Sequence, residues 1–294
     1  MVRALVTLLL ASLALVSCQP AAAPEPPLSG APGLWVVKHP DGAVAGWLFG
    51  TIHALPEGAR WWTPALDRAA GQAGTLVVEV RDLDPKAIAT VFERLARDCP
   101  CPPLASRLPP SARPQYALLL EANDLPPRQY DGLETWAAAL ALSQSGAKAQ
   151  AQATNGADRA LLVRFRDRPI AELEGAGTQL AIFDSLPETA QRRLLAEVVT
   201  GTAKAATEPE RLARAWLAAD LGTLEQETRQ GMLADPVLYD ALLKRRNRAW
   251  ADRLEPLLVQ GRRPFVAVGA AHLLGPDGLV ALLEARGYRI ERVR

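Results

Sequence analysis

Hydrophobic residues in this chain follow two rhythms: compact apolar runs near both ends, and longer stretches with helical spacing between them. Near the start, 34–38 and 43–49 are β-prone runs around His39-Pro40-Asp41-Gly42, a turn composition, and together they predict a hairpin. A helix over 64–73 and a buried strand over 75–80 (Thr-Leu-Val-Val-Glu-Val) follow. From about 85 to 260 the chain is rich in Ala, Leu, Arg and Glu, with Pro and Gly breaks near 102–110, 126–132, 169–177 and 201–209. The clearest helix there is 236–258, with Asp235 placed to cap it, Pro236 at its first position and Gly261 just past its end. The C-terminal part reads as a strand over 264–269, a helix over 277–286 and a strand over 288–293. The pattern predicts a mixed α/β (α+β) fold whose central sheet comes from both chain ends, with a large helical insertion between them.

The same spacing exposes an irregularity. Leu238, Leu242, Leu243, Trp250, Leu254 and Leu257 form an apolar stripe along the 236–258 helix, and its gap falls on Arg246 and Asn247. One of these polar residues therefore faces the interior. A buried Arg requires a carboxylate or an anion. Arg246 is thus either part of a structural ion pair or a group that clamps a substrate carboxylate or stabilises an oxyanion.

With 294 residues, 49% of them hydrophobic and 22% charged, the chain can bury a core without a disulfide framework. Its 33 Lys and Arg balance 32 Asp and Glu, which excludes nucleic-acid binding through bulk charge. Met1-Val2-Arg3 is a basic start, followed by an apolar run over 4–16 that is too short to span a bilayer but suits a secretory signal. Leu15-Val16-Ser17-Cys18 looks like a bacterial lipobox, so 1–18 is expected to be a lipoprotein signal peptide with Cys18 as the lipidated residue. The alternative is an ordinary signal peptide with an incidental cysteine. Residues 19–33 form a Pro- and Ala-rich tether ahead of one domain over 34–294. The expected location is the cell envelope, with membrane contact through the N-terminal lipid only. Gln19 after the cysteine suggests the outer membrane, facing the periplasm. In such a compartment Cys99 and Cys101 favour a structural disulfide over metal binding.

Only three histidines are present. His39 lies in the hairpin turn and is expected to be exposed and inert. The other two share a setting, Gly50-Thr51-Ile52-His53 and Gly269-Ala270-Ala271-His272, each just after a β-run. A Gly at a strand end permits close backbone approach, and a His three residues on is presented at the carboxyl edge, where open α/β sheets bind ligands. Glu79, in an otherwise apolar strand, is the best carboxylate partner. His53, His272 and Glu79 together suit a divalent transition metal, with Mn, Co or Zn as candidates. Asp158, after Asn155-Gly156, is a weaker candidate that reads first as a helix cap and second as a ligand. Glu174, which alternates with Glu172, points either to the site or to solvent.

The two GxxH motifs, the early strand Glu and the run Val266-Ala-Val-Gly-Ala-Ala-His272-Leu-Leu-Gly275-Pro-Asp277-Gly278 resemble the TraB/GumN family. That family is related to the TIKI metalloproteases and more distantly to erythromycin esterases and a haem-binding (ChaN-like) lipoprotein. Gly156-Ala-Asp158, Glu172-Leu-Glu174 with Gln179-Leu180, and Arg246-Asn247 agree with it, so the resemblance covers 34 to 294. It implies an erythromycin esterase/ChaN-like fold and a metal-dependent, peptidase-like hydrolase acting on peptides or other amides or esters. In that reading His53 and His272 hold the metal, Glu79 is a further ligand or the general base, and Arg246 joins the site. A second reading is a metal-free esterase with His53 as base, oriented by Glu79. A third is a non-catalytic haem- or metal-binding lipoprotein, or an accessory of polysaccharide export.

Overall fold

The computed structural model describes residues 27–96, 99–145, 155–201 and 208–293. Cys18, the signal peptide and most of the tether lie outside the described residues. Six strands form one mixed sheet in the order β4-β3-β5-β2-β1-β6. They are β1 (Leu34–Lys38), β2 (Val44–Thr51), β3 (Thr75–Val78), β4 (Ile170–Glu172), β5 (Pro264–Gly269) and β6 (Arg289–Arg292).

The predicted hairpin is β1 and β2, closed by a turn in which the Gly42 N–H donates to the His39 carbonyl. β1 also pairs antiparallel with β6. β2, β5, β3 and β4 are mutually parallel. Both ends of the chain thus meet in one sheet, as the apolar pattern predicts. β4, from within the helical middle, adds an edge. His39 is half-buried rather than exposed, because its ring rests on Tyr288.

The parallel strands are apolar on both faces because helices cover both. Trp47, Phe49, Leu76, Val78, Phe265 and Ala267 pack on one face with Trp61, Leu66, Leu161, Phe165 and Trp216. Leu48, Val77, Val266 and Val268 pack on the other with Trp250, Leu254, Leu258, Leu279 and Leu283. Alternation along each strand assigns the two sets. The helical middle builds a core of its own, around Leu104, Tyr116, Leu142, Leu194 and Leu238. Its approach loop is closed by the Cys99–Cys101 disulfide. There the Arg107 guanidinium is buried and donates to the carbonyls of Pro102, Asp131 and Leu133.

The long helix predicted over 236–258 links the two cores, and it is not uniform. Asp235 caps it through the N–H groups of Val237 and Leu238. The segment Pro236–Tyr239 passes into a π-helical turn, Asp240–Lys244, and then into Arg245–Val259. The wider turn displaces the buried stripe. Arg246 and Asn247 both face inward, where the sequence pattern predicts one, and Asn247 shares its face with Trp250, Ala251 and Leu254 at regular helical spacing. Leu258, not Leu257, then completes the buried face.

Candidate functional site

Because β2, β5, β3 and β4 are adjacent and parallel, their carboxyl ends share one edge, and each carries a polar residue. His53 follows β2, His272 follows β5, Glu79 follows β3 and Glu174 follows β4. Gly50 permits this convergence, since a Cβ there would lie 3.1 Å from both Cα and Cβ of Ala270. His53, Glu79, Arg246 and His272 line one cavity of about 350 Å³, whose apolar wall includes Ile52, Leu212, Trp216 and Leu224. A second lobe, lined by Val78, Val80, Leu83 and Leu162, shares His53, Glu79 and Gln179 with the first.

The floor of the site is organised by Arg246, whose side chain is 10% exposed. Nε donates to Glu174, at 3.0 and 3.1 Å from its two oxygens. Nη2 donates to Glu174 Oε2 and to Glu79 Oε2, each at 2.9 Å. Nη1 donates to the Leu242 carbonyl at 2.9 Å and to His272 Nε2 at 3.2 Å. All five N–H groups are thereby engaged, and the guanidinium lies over the Trp250 ring. Arg246 is therefore part of a structural ion-pair cluster and has no donor left for a substrate carboxylate or an oxyanion.

Glu79 and His272 are equally committed. Glu79 Oε1 accepts from the Gly269 N–H at 2.7 Å, and Oε2 accepts from Gln179 Nε2 at 3.1 Å as well as from Arg246. Burial alone would raise the Glu79 carboxyl, but the Arg246 charge and the Gly269 amide hold it below its ordinary value. His272 is buried against Trp250, with ring centroids 4.3 Å apart. Asn247 Nδ2 donates to the Asp277 carbonyl, so its Oδ1 accepts from His272 Nδ1 at 2.6 Å and leaves Nε2 to receive Arg246. Burial pushes the His272 imidazole down to about 4, so it is neutral at neutral pH.

His53 differs. Its side chain is 76% exposed and Nδ1 meets Asp158 Oδ2 at 2.7 Å. That carboxylate raises the imidazole to about 9, so Nδ1 donates and His53 is charged at neutral pH. Among the described residues Nε2 has no hydrogen-bond partner and opens to the cavity. Asp158 is not the helix cap. Gly156 takes that position before the helix Ala157–Arg164, and the Ala157 N–H donates to the Ile52 carbonyl. A Cβ on Gly156 would stand 2.5 Å from the His53 carbonyl oxygen, so glycine is what lets the helix bring Asp158 alongside.

The expected metal centre does not fit this arrangement. Among the described residues no three His, Cys, Asp or Glu side chains form a ligand set. The guanidinium of Arg246 already holds the place between Glu79, Glu174 and His272 where a cation would sit. Asp158, not Glu79, orients His53. Glu174 turns to the cluster, whereas Glu172 faces outward and accepts from the Arg81 N–H.

The cluster predicts an asymmetry between neighbouring arginines. Arg246→Ala leaves Glu79 and Glu174 uncompensated and should cost about 3–5 kcal/mol in urea unfolding. The exposed Arg248→Ala should stay within about 0.5 kcal/mol. Equal, small effects at both positions would contradict the cluster.

Comparisons with known proteins agree in extent with this architecture. Over 244 residues the chain is 28% identical to the Escherichia coli (strain K12) protein named "Uncharacterized protein YbaP", covering 80% of this chain and 86% of that protein. The Shigella flexneri protein of the same name matches with the same identity and coverage. No solved structure matches the chain significantly. Residues 33–292, which include the whole sheet and every side chain of the site, match the TraB/PrgY/gumN family. The chain belongs to the TraB/PrgY/gumN family.

Proposed function

We propose that this protein is a hydrolase of the bacterial cell envelope that adds water to an ester or amide carbonyl, with His53 and Asp158 moving the proton. One observation carries this reading. His53 Nε2 is the ring nitrogen at the cavity left unengaged among the described residues, and its Nδ1 is held by a carboxylate at 2.7 Å. In the neutral form Nε2 takes a proton from water while Asp158 stabilises the resulting imidazolium. The water oxygen bonds to the carbonyl carbon. As the adduct collapses, Nε2–H returns the proton to the departing alcohol or amine. Arg246, Glu79, Glu174 and His272 do not touch the reacting atoms in this scheme and serve to fix the floor.

Export and lipid anchoring at Cys18 complete the reading, supported by the basic start, the apolar run and the lipobox-like Leu15–Cys18 segment. Membrane attachment through lipid is compatible with a body in which no helix among the described residues is long and apolar enough to cross a bilayer.

Two experiments test these proposals. With p-nitrophenyl butyrate as probe, kcat/KM should rise about tenfold per pH unit through neutrality and level off near the His53 value of about 9. Asp158→Asn should move that limb toward the ordinary histidine value of about 6.5, and His53→Ala should remove it. A rate independent of both residues would contradict the acid–base pair. For the anchor, the wild-type chain expressed in a bacterium should partition into detergent and Cys18→Ala should not. A wild-type protein found in the aqueous phase would contradict lipidation.

A further inference from the structure

Four buried polar side-chain atoms lack a hydrogen-bond partner among the described residues: Thr51 Oγ1, Gln115 Oε1, Tyr116 Oη and Trp250 Nε1. Of these four residues only Thr51 lines the cavity that holds His53. It is the last residue of β2, 2% exposed, in register with Gly269 of β5 and two residues before His53. Strand alternation places it on the face of Trp47 and Phe49, the face covered by Trp216. An unpaired buried hydroxyl destabilises a fold, and a group from outside the chain that reaches it from the cavity would complete its hydrogen bonding.

The surroundings narrow what that partner can be. Ile52, Leu212, Trp216, Leu224 and Ala270 give the cavity an apolar wall. The charged groups around the cavity are the cations His53 and Arg246 and the carboxylates of Glu79, Glu174, Asp158 and Glu227, with Arg211 paired to Glu227 and Arg159 in the adjoining lobe with Asp158. These charges nearly balance and are largely paired with one another, so the cavity exerts no strong pull on a charged ligand. A neutral group with one polar atom and an apolar body suits both the wall and the charge.

We infer that Thr51 is a substrate-binding residue whose hydroxyl donates to the carbonyl oxygen of a neutral ester or amide, with the acyl chain packed against Trp216 and Leu212. The inference rests on the hydrolase reading for what happens next at His53, but the binding contact stands independently of turnover. It also predicts an unusual sign, because the hydroxyl contributes to the ligand and not to the fold.

The test uses butyranilide, a slowly reacting neutral amide, titrated by calorimetry into wild type, Thr51→Val, Thr51→Ala and Thr51→Ser. Both variants without the hydroxyl should bind about tenfold more weakly, and Thr51→Ser should bind close to wild type. Thr51→Val should unfold at the same or a higher temperature than wild type. Equal affinity in Thr51→Val, or no binding by wild type, would overturn the inference. A lower melting temperature with unchanged affinity would also overturn it, since the hydroxyl would then hold a structural water. If the affinity difference holds while p-nitrophenyl butyrate is not hydrolysed, the acid–base reading fails and the binding role of Thr51 stands.

Discussion

A single buried guanidinium ties the functional edge of this fold together. Arg246 reaches from the long helix to the ends of β3, β4 and β5 and satisfies Glu79, Glu174 and His272 at once. Three strand ends that each present a polar group to a low-dielectric interior are costly unless those groups compensate one another. Here one planar cation with five donors does so, with the Trp250 ring beneath it. The helix is locked to the sheet by the same bonds, which couple the helical core around Leu238 to the core beneath the sheet around Leu254.

This clamp divides two histidines that share a sequence setting. The long helix covers the end of β5, so His272 is buried, neutral and bonded at both ring nitrogens. Among the described residues no such cover lies over His53, which keeps an exposed ring and takes its charge from Asp158. The result is a floor of mutually bonded charged groups with the exposed His53 ring above it. Chemistry at such a site is expected to depend on the His53–Asp158 pair, with Arg246 and its partners setting shape and field.

Much of the sheet is legible in the sequence because its strands are apolar on both faces and sit between strong turn signals, as in 34–38 with 43–49 and in 264–269. β4 is only three residues long and shows as little more than a β-like run after Pro169. At the site, Glu79, His53 and His272 stand out by strand-end context, and Arg246 by the gap in an apolar stripe. Asn247 turns inward beside it, three, four and seven residues before Trp250, Ala251 and Leu254 of the same helix, a place that a pattern built on apolar residues alone passes over because Asn247 is polar. Asp158 resembles a cap because acidic residues favour first turns of helices. Only the close approach of Gly156 to the His53 backbone makes it a partner. Thr51 lies inside the Gly50-Thr51-Ile52-His53 motif, but its unpaired hydroxyl is a property of packing and has no sequence signal.

The most direct measurement is an NMR titration of the His53 ring, tractable because the chain has only three histidines. The His53 Cε1–H resonance should titrate near pH 9 in the wild type and move toward about 6.5 in Asp158→Asn. A wild-type midpoint near 6.5 that Asp158→Asn leaves unchanged would contradict the pairing on which the account stands.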